Sequence, residues 1–288
     1  MRSIQFILTP PPPHMVGDGF RVHNFFPNNY IDKKRMSPFL LMDYNSKIDF
    51  SASETPRGVG VHPHRGFETV TIAYHGRIAH HDSAGNSGVI GEGDVQWMTA
   101  ASGLLHKEYH EKTYSQQGGP FQMVQLWVNL PAKDKMSAPK YQELTKASIP
   151  SVKLDDQGSV MELIAGEFKG TKGAAFTFTP MNVFNARLKE QTTVNFELPQ
   201  HFNTGFLVVE GEIEVQGTKV STDHFVLFDN DGTNIELKAL SNAVVLILSG
   251  EPINEPIAQY GPFVMNTWDE LEQAFKDVNA GKFGVLED

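Results

Sequence analysis

The stretch Gly58–Gly76, GVGVHPHRGFETVTIAYHG, decides how the rest of the chain is read. From Val70 it is a short β-branched and aromatic run closed by His75-Gly76, and a second run, Arg77-Ile78-Ala79, follows at once; this is the grammar of a tight hairpin. Its first half carries His62 and His64 one residue apart. On a strand, side chains at i and i+2 leave the same face about 6–7 Å apart, so two imidazoles at this spacing can converge on one ion. Pro63 between them lacks a backbone donor, which puts the pair at a strand end, at a bulge or on an edge strand.

The spacing recurs downstream. In GDVQWMTAASGLLHKE, residues 93–108, His106 and Glu108 again stand one residue apart among turn residues. Two such pairs on neighbouring strands predict a metal site of three histidines and one glutamate: His62, His64, His106 and Glu108. The bland alternative is a pair of solvated strand faces, which explains one pair better than two. Burying all four groups inside a barrel is costly unless a cation coordinates them. Seven of the eleven histidines fall between positions 62 and 110. Of the others there, His75 reads as a turn residue, and the adjacent His80 and His81 point to opposite faces and cannot both be ligands. His110 is placed to reach a pocket mouth, and Arg65, Phe67 and Trp97 either line the cavity or pack the strands.

Composition narrows what such a site can be. The chain has 288 residues and no cysteine, so disulfides, thiol nucleophiles and sulfur-ligated metals are excluded and only nitrogen and oxygen donors remain. A net charge of -10 opposes direct binding to nucleic acid. The longest apolar run, Ala243–Leu248, is far below the roughly 20 residues of a membrane helix. The opening MRSIQFILTPPPPH places four prolines where a secretory segment would be helical. The expectation is a soluble cytoplasmic protein with no membrane partner.

Outward from residues 58–108 the chain is all-β. FQMVQLWVNL, ending at Leu130, alternates Val124, Leu126 and Val128 with Met123, Gln125 and Trp127. Residues 131–150 are richer in Lys, Ala and Pro and read as a connection, which predicts an N-terminal barrel over 1–134 and a C-terminal one over 135–288. The strand–Gly–strand step VTIAYHGRIA at 70–79 has a counterpart in FLVVEGEIEV at 206–215, so the β unit looks duplicated. Aligning Gly211 with Gly76 puts Glu197, Pro199 and Asn203 at the positions of His62, His64 and Glu68, and the second unit carries no such pair of histidines. His201 and His224 are isolated and read as surface residues. Near the end, Thr267 and Glu270 form a capping box before the stripe Leu271, Phe275 and Val278, with Gly281 placed to stop the helix, which is expected to cover a barrel.

These motifs carry a resemblance. Gly58…His62-x-His64-x3-Glu68-x7-Gly76 resembles the first cupin motif, and Gly93-x9-Gly103-x2-His106 the second, with Thr99 where that motif usually has proline. HPHRGFETV, GDVQWMTA, LLHKE, QLWVNLP and the late GPFVMNT resemble, more narrowly, the pirin family of bicupin proteins. The resemblance implies two jelly-roll-like cupin barrels in tandem with a short C-terminal helix, and one divalent metal held by His62, His64, His106 and Glu108 in the first. The general cupin pattern draws its carboxylate from the residue matching Glu68, pirin-like proteins from the one matching Glu108. Glu108 also shares a face with His106, which leaves Glu68 for a hydrogen bond to a ligand or for strand packing. Fe(II) is the implied ion, and Mn, Ni, Cu or Zn also suit the donor set. The implied activity is that of a quercetin 2,3-dioxygenase acting on a small aromatic substrate such as a flavonol plus O2, with Glu108 taking the proton of the substrate hydroxyl. The alternative is a non-enzymatic metal or redox sensor that binds a transcription factor or a metabolic enzyme.

Overall fold

The computed structural model describes residues 1–287. The chain divides into two compact units, and neither is one continuous stretch. Met1–Pro11, Pro27–Pro38 and Ala147–Pro252 make one unit; Pro12–Phe26, Phe39–Lys146 and the residues from Ile253 on make the other.

This differs from the expected division at 134/135, for three local reasons. Lys140–Leu144, read as connection, is a strand paired with Val95–Thr99, so the first long segment runs on to Lys146. The first strand, Ile4–Leu8, pairs with Phe225–Phe228 and so belongs with the later repeat. The terminal helix Trp268–Asn279 belongs with the histidine-bearing unit rather than with the C-terminal barrel: Leu271, Ala274, Phe275 and Val278 pack with Leu105, Phe263 and Phe283. Its capping box between Thr267 and Glu270 forms as the sequence predicts. The six-residue helix Lys112–Gln117, capped by Glu111, is too short to announce itself by periodicity.

Each unit is a barrel-like pairing of a seven-stranded and a four-stranded antiparallel sheet, the cupin arrangement expected. In the histidine-bearing unit the four-stranded sheet runs Gly58–His64, Leu104–His110, Ile78–Asp82, Ser87–Ile90; in the other it runs Thr193–Glu197, Asn234–Ala239, Ile213–Val215, Thr218–Val220. The order is the same in both, and Gly76 and Gly211, at φ +84° and +78°, each turn the chain from a strand of the seven-stranded sheet into one of the four-stranded sheet, so the step expected to be a hairpin joins two sheets instead of two paired strands. The two interiors differ. Between the sheets of the second unit lie Val194, Phe196, Ile213, Val215, Phe206, Ile235, Leu237 and Ile247, an apolar filling without a polar pole. In the histidine-bearing unit the Gly58–His64 strand is the outer strand of its sheet, which is where Pro63 is tolerated.

Arg2 fixes the first strand to its unit. Its guanidinium is fully buried and donates to the carbonyls of Asp229 (2.7 Å), Pro199 (3.3 Å) and Gln200 (3.2 Å), to Asn230 Oδ1 (3.0 Å) and to the Phe202 carbonyl. Arg2→Ala removes a charged donor and strands these acceptors, so we expect a loss of about 3 kcal/mol or more in denaturant unfolding. An unchanged midpoint would show that these bonds contribute nothing net.

Candidate metal centre

His62 and His64 leave the outer strand toward His106 on its neighbour, with His106 directly opposite His62. The three rings meet with centroids 4.2–4.8 Å apart. His64 and His106 are 4% and 0% exposed, and His62 is half-buried. One nitrogen from each lies within 4.8 Å of the others.

The hydrogen bonds fix which nitrogen each ring offers. His62 Nδ1 is 2.8 Å from the Gly60 carbonyl and His64 Nδ1 is 3.3 Å from the Pro262 carbonyl. A carbonyl only accepts, so both Nδ1 atoms carry a proton, and in the neutral ring Nε2 is the nitrogen that offers a lone pair. His106 reaches the same state by a longer route. Gln96 Nε2 donates to Glu108 Oε1 at 3.2 Å and to His80 Nδ1 at 3.1 Å, which makes His80 Nδ1 an acceptor. His106 Nδ1, 3.5 Å away, therefore supplies a proton to it, and His80 Nε2 passes its own to Asp82 at 3.4 Å. His106 Nε2 is left buried with no hydrogen-bond partner among the described residues. Such an orphaned acceptor costs roughly 1–3 kcal/mol, a cost a coordinated cation removes, so the donor set fits a metal ion. Burial, reinforced by the neighbouring imidazoles, holds His64 and His106 well below the usual histidine range and keeps them neutral.

Glu108 stands beside this trio. Its register slips by one residue at the bulge after His106, so that it faces Val59 and His80. The carboxylate forms a second donor group with His80 and His106 and shares the wall of one cavity with His62 and His64. Three donors orient it: Thr71 Oγ1 (3.3 Å) and Gln96 Nε2 (3.2 Å) to Oε1, and Gln125 Nε2 (2.8 Å) to Oε2. The cavity, of about 330 Å³, is walled by Val16, Phe20, Val22, Val59, Met123 and Trp127.

Glu68 cannot reach the histidines. It is three residues from Thr71 on a regular strand, hence on the opposite face, where it accepts from Thr99 at 2.7 Å. Trp97, adjacent to Gln96, also faces away from the cavity, whereas Phe67 packs tilted against Trp127 and edge-on against His64. His110 is packed among Phe20, Phe50 and Phe121 and bonds to the Gly19 carbonyl at 2.8 Å, so it is core and not pocket mouth. His81 turns outward onto Tyr109, and His75 contacts Lys47. His201 is exposed and His224 is half-buried against its own turn.

Spacing alone missed what holds the His62–His64 strand in place. The turn after it is clamped by the C-terminal segment: Val264 N–H donates to the Arg65 carbonyl, and the Lys135 ammonium bridges the carbonyls of Gly66 (2.8 Å) and Val264 (3.0 Å) to Asn129 Oδ1. Burial pushes the Lys135 amine down to about 7. Gly66 has φ +88°, and a Cβ there would lie 1.9 Å from the Val264 carbonyl oxygen. Arg65 points away from the cavity, to Asp277 on the terminal helix (2.9 Å) and the Ser102 carbonyl (2.7 Å). The same clamp delivers the Pro262 carbonyl to His64.

Fold and site thus define a bicupin with a histidine–carboxylate pocket in one barrel. Two family models match the chain, Pirin over residues 19–128 and the Pirin C-terminal cupin domain over 183–284. A Pseudomonas aeruginosa protein named "Putative quercetin 2,3-dioxygenase" is 47% identical over 94% of each chain, and a Solanum lycopersicum "Pirin-like protein" is 40% identical over 87% of this chain and 83% of that one. The crystal structure of quercetin 2,3-dioxygenase from Acinetobacter baumannii superposes with a TM-score of 0.94 at 43% identity, covering 100% of both. The chain belongs to the pirin family. Membership implies a metal cofactor, and among the described residues two groups that share His106, His62–His64–His106 and His80–His106–Glu108, could hold one. Among the described residues no helix is long and apolar enough to cross a membrane.

Two outcomes follow. Asp277→Asn weakens the clamp without touching a candidate ligand, and should lower metal affinity about tenfold in chelator competition; unchanged affinity would contradict a role for the terminal helix. Glu68 is pushed up to about 7 by burial, so the folded chain holds a proton there that the unfolded chain, titrating near 4.5, has lost. The stability from that proton is complete below about 4.5 and gone above about 7. Glu68→Gln should therefore gain on the native protein as pH rises from 5 to 8, by on the order of 3 kcal/mol, with metal content unchanged. A pH-independent difference would refute the assignment.

Proposed function

We propose that the chain is a metal-dependent dioxygenase of the quercetin 2,3-dioxygenase kind, with Fe(II) held by His62, His64, His106 and Glu108. The observation that carries this reading is the cluster of three imidazoles, ring centroids 4.2–4.8 Å apart, of which His62 and His64 line, with Glu108, a cavity of about 330 Å³ while His106 is buried behind them. The printed names of the Pseudomonas relative and of the Acinetobacter structure support the substrate class. An ion bound by nitrogen and oxygen donors supplies Lewis-acid and redox chemistry toward a hydroxylated aromatic and O2.

The residues of the chain do the rest. Phe20, Val22, Val59, Met123 and Trp127 exclude water and sandwich a flat ring system. Glu108 accepts the proton of the substrate hydroxyl, and Thr71, Gln96 and Gln125 hold it in position to do so. Its placement in a donor group with His106 and His80 means that closing onto the ion of the three-histidine set takes a side-chain adjustment, which the three donors limit.

Protein purified without oxygen and reconstituted separately with Fe(II), Mn, Ni, Cu or Zn should consume O2 and release carbon monoxide with quercetin, fastest with Fe(II). Glu108→Gln should stay folded while losing metal and at least about a hundredfold in kcat. Retained metal with no turnover for any ion would overturn the enzymatic reading and favour a regulator that captures a stoichiometric protein partner in one metal oxidation state.

A further inference from the structure

The cavity holds a second carboxylate that the chemistry above does not use. Across the seven-stranded sheet, Asn24, Asp43, Gln125, Thr71 and Gln96 stand directly opposite one another on five successive strands. Neighbours in such a row are about 5 Å apart, so it forms one continuous polar track. Its Gln96 end is committed: Gln96, Thr71 and Gln125 all donate to Glu108. Its other end is not. Asn24 Nδ2 holds Asp43 Oδ1 at 2.8 Å, while Oδ2 has no hydrogen-bond partner among the described residues, although Asp43 lines the cavity among Val16, Phe20, Val22 and Met123.

Asp43 is half-buried in this mostly apolar wall, and burial pushes it above the usual carboxylate range while it stays accessible from the cavity. The partner it lacks is a hydrogen-bond donor delivered by whatever fills the cavity. We propose that Asp43 determines specificity: its Oδ2 accepts a hydrogen bond from a second phenolic hydroxyl, selecting polyhydroxylated flavonols over the bare 3-hydroxyflavone skeleton. This rests on reading the cavity as a flavonol site. With one polar edge of a rigid ring system at Glu108, the hydroxyl one strand beyond Gln125 meets Asp43, while the hydrophobic side chains grip the rings between.

The test is equilibrium binding by metal-loaded protein under anaerobic conditions, followed by quenching of tryptophan fluorescence, since Trp127 is in the cavity wall. Quercetin, with hydroxyls on both outer rings, is compared with 3-hydroxyflavone for the native chain, for the isosteric Asp43→Asn and for Asp43→Ala. The native preference for quercetin should shrink about tenfold or more in both variants, with metal content and thermal unfolding unchanged. A native chain that prefers quercetin and variants that keep the full preference would overturn the role of Asp43 and leave the dioxygenase reading standing. A native chain that binds neither compound would overturn the flavonol reading, and this assignment with it.

Discussion

The structure depends on one constraint: each of three clustered imidazoles must give its Nδ1 proton to a fixed acceptor so that its Nε2 stays bare. His62 uses the Gly60 carbonyl, His64 the Pro262 carbonyl and His106 the His80–Asp82 chain. Without those acceptors the rings could rotate or change tautomer, and the lone pairs would no longer converge. The second barrel shows the same strand order without this constraint. There Phe196, Ile235 and Leu237 from the matching sheet fill the interior with apolar side chains where the other barrel has its histidines.

The acceptors come from different parts of the chain. Gly60 is local to the strand, whereas Pro262 belongs to the C-terminal segment, which the Arg65–Asp277 pair and the Lys135 ammonium tie to the turn after His64. A buried ion pair is weak evidence for stability, but it is well suited to fixing register. The terminal helix thus acts on the site through backbone placement, without a side chain in the cavity. Glu108 is oriented on the same plan, by a row of amides and a hydroxyl reaching from the facing sheet.

Much of this was legible from residue spacing. The one-residue gaps in His62-Pro63-His64 and His106-Lys107-Glu108 give same-face pairs whatever the tertiary fold, and Pro63 announces a strand end, a bulge or an edge strand, of which the strand order shows the edge. The capping box and stripe of the last helix are equally local. What spacing could not supply is pairing between distant strands. The break at 134/135 failed because Lys140–Leu144, poor in β-branched residues, is held by Val95–Thr99 rather than by its own propensity. The terminal helix belongs with the histidine-bearing unit because its partners, Leu105 and Phe263, are brought to it by tertiary packing that no local pattern encodes. His80 had a local signal, its same-face partner Asp82, but only the pairing of Ile78–Asp82 with Leu104–His110 brings it to His106. Trp97 was open to either reading, and the parity of Gln96 decides against the cavity.

The central claim is that the Nε2 atoms of His62, His64 and His106 meet at one ion. X-ray diffraction at the iron absorption edge, on crystals loaded with Fe(II) without oxygen, tests it most directly. The account predicts a single anomalous peak bonded to those three nitrogens, with the Glu108 carboxylate beside it. A peak on the Nδ1 side of His106, between His80 and Glu108, or no peak near these residues, would contradict it.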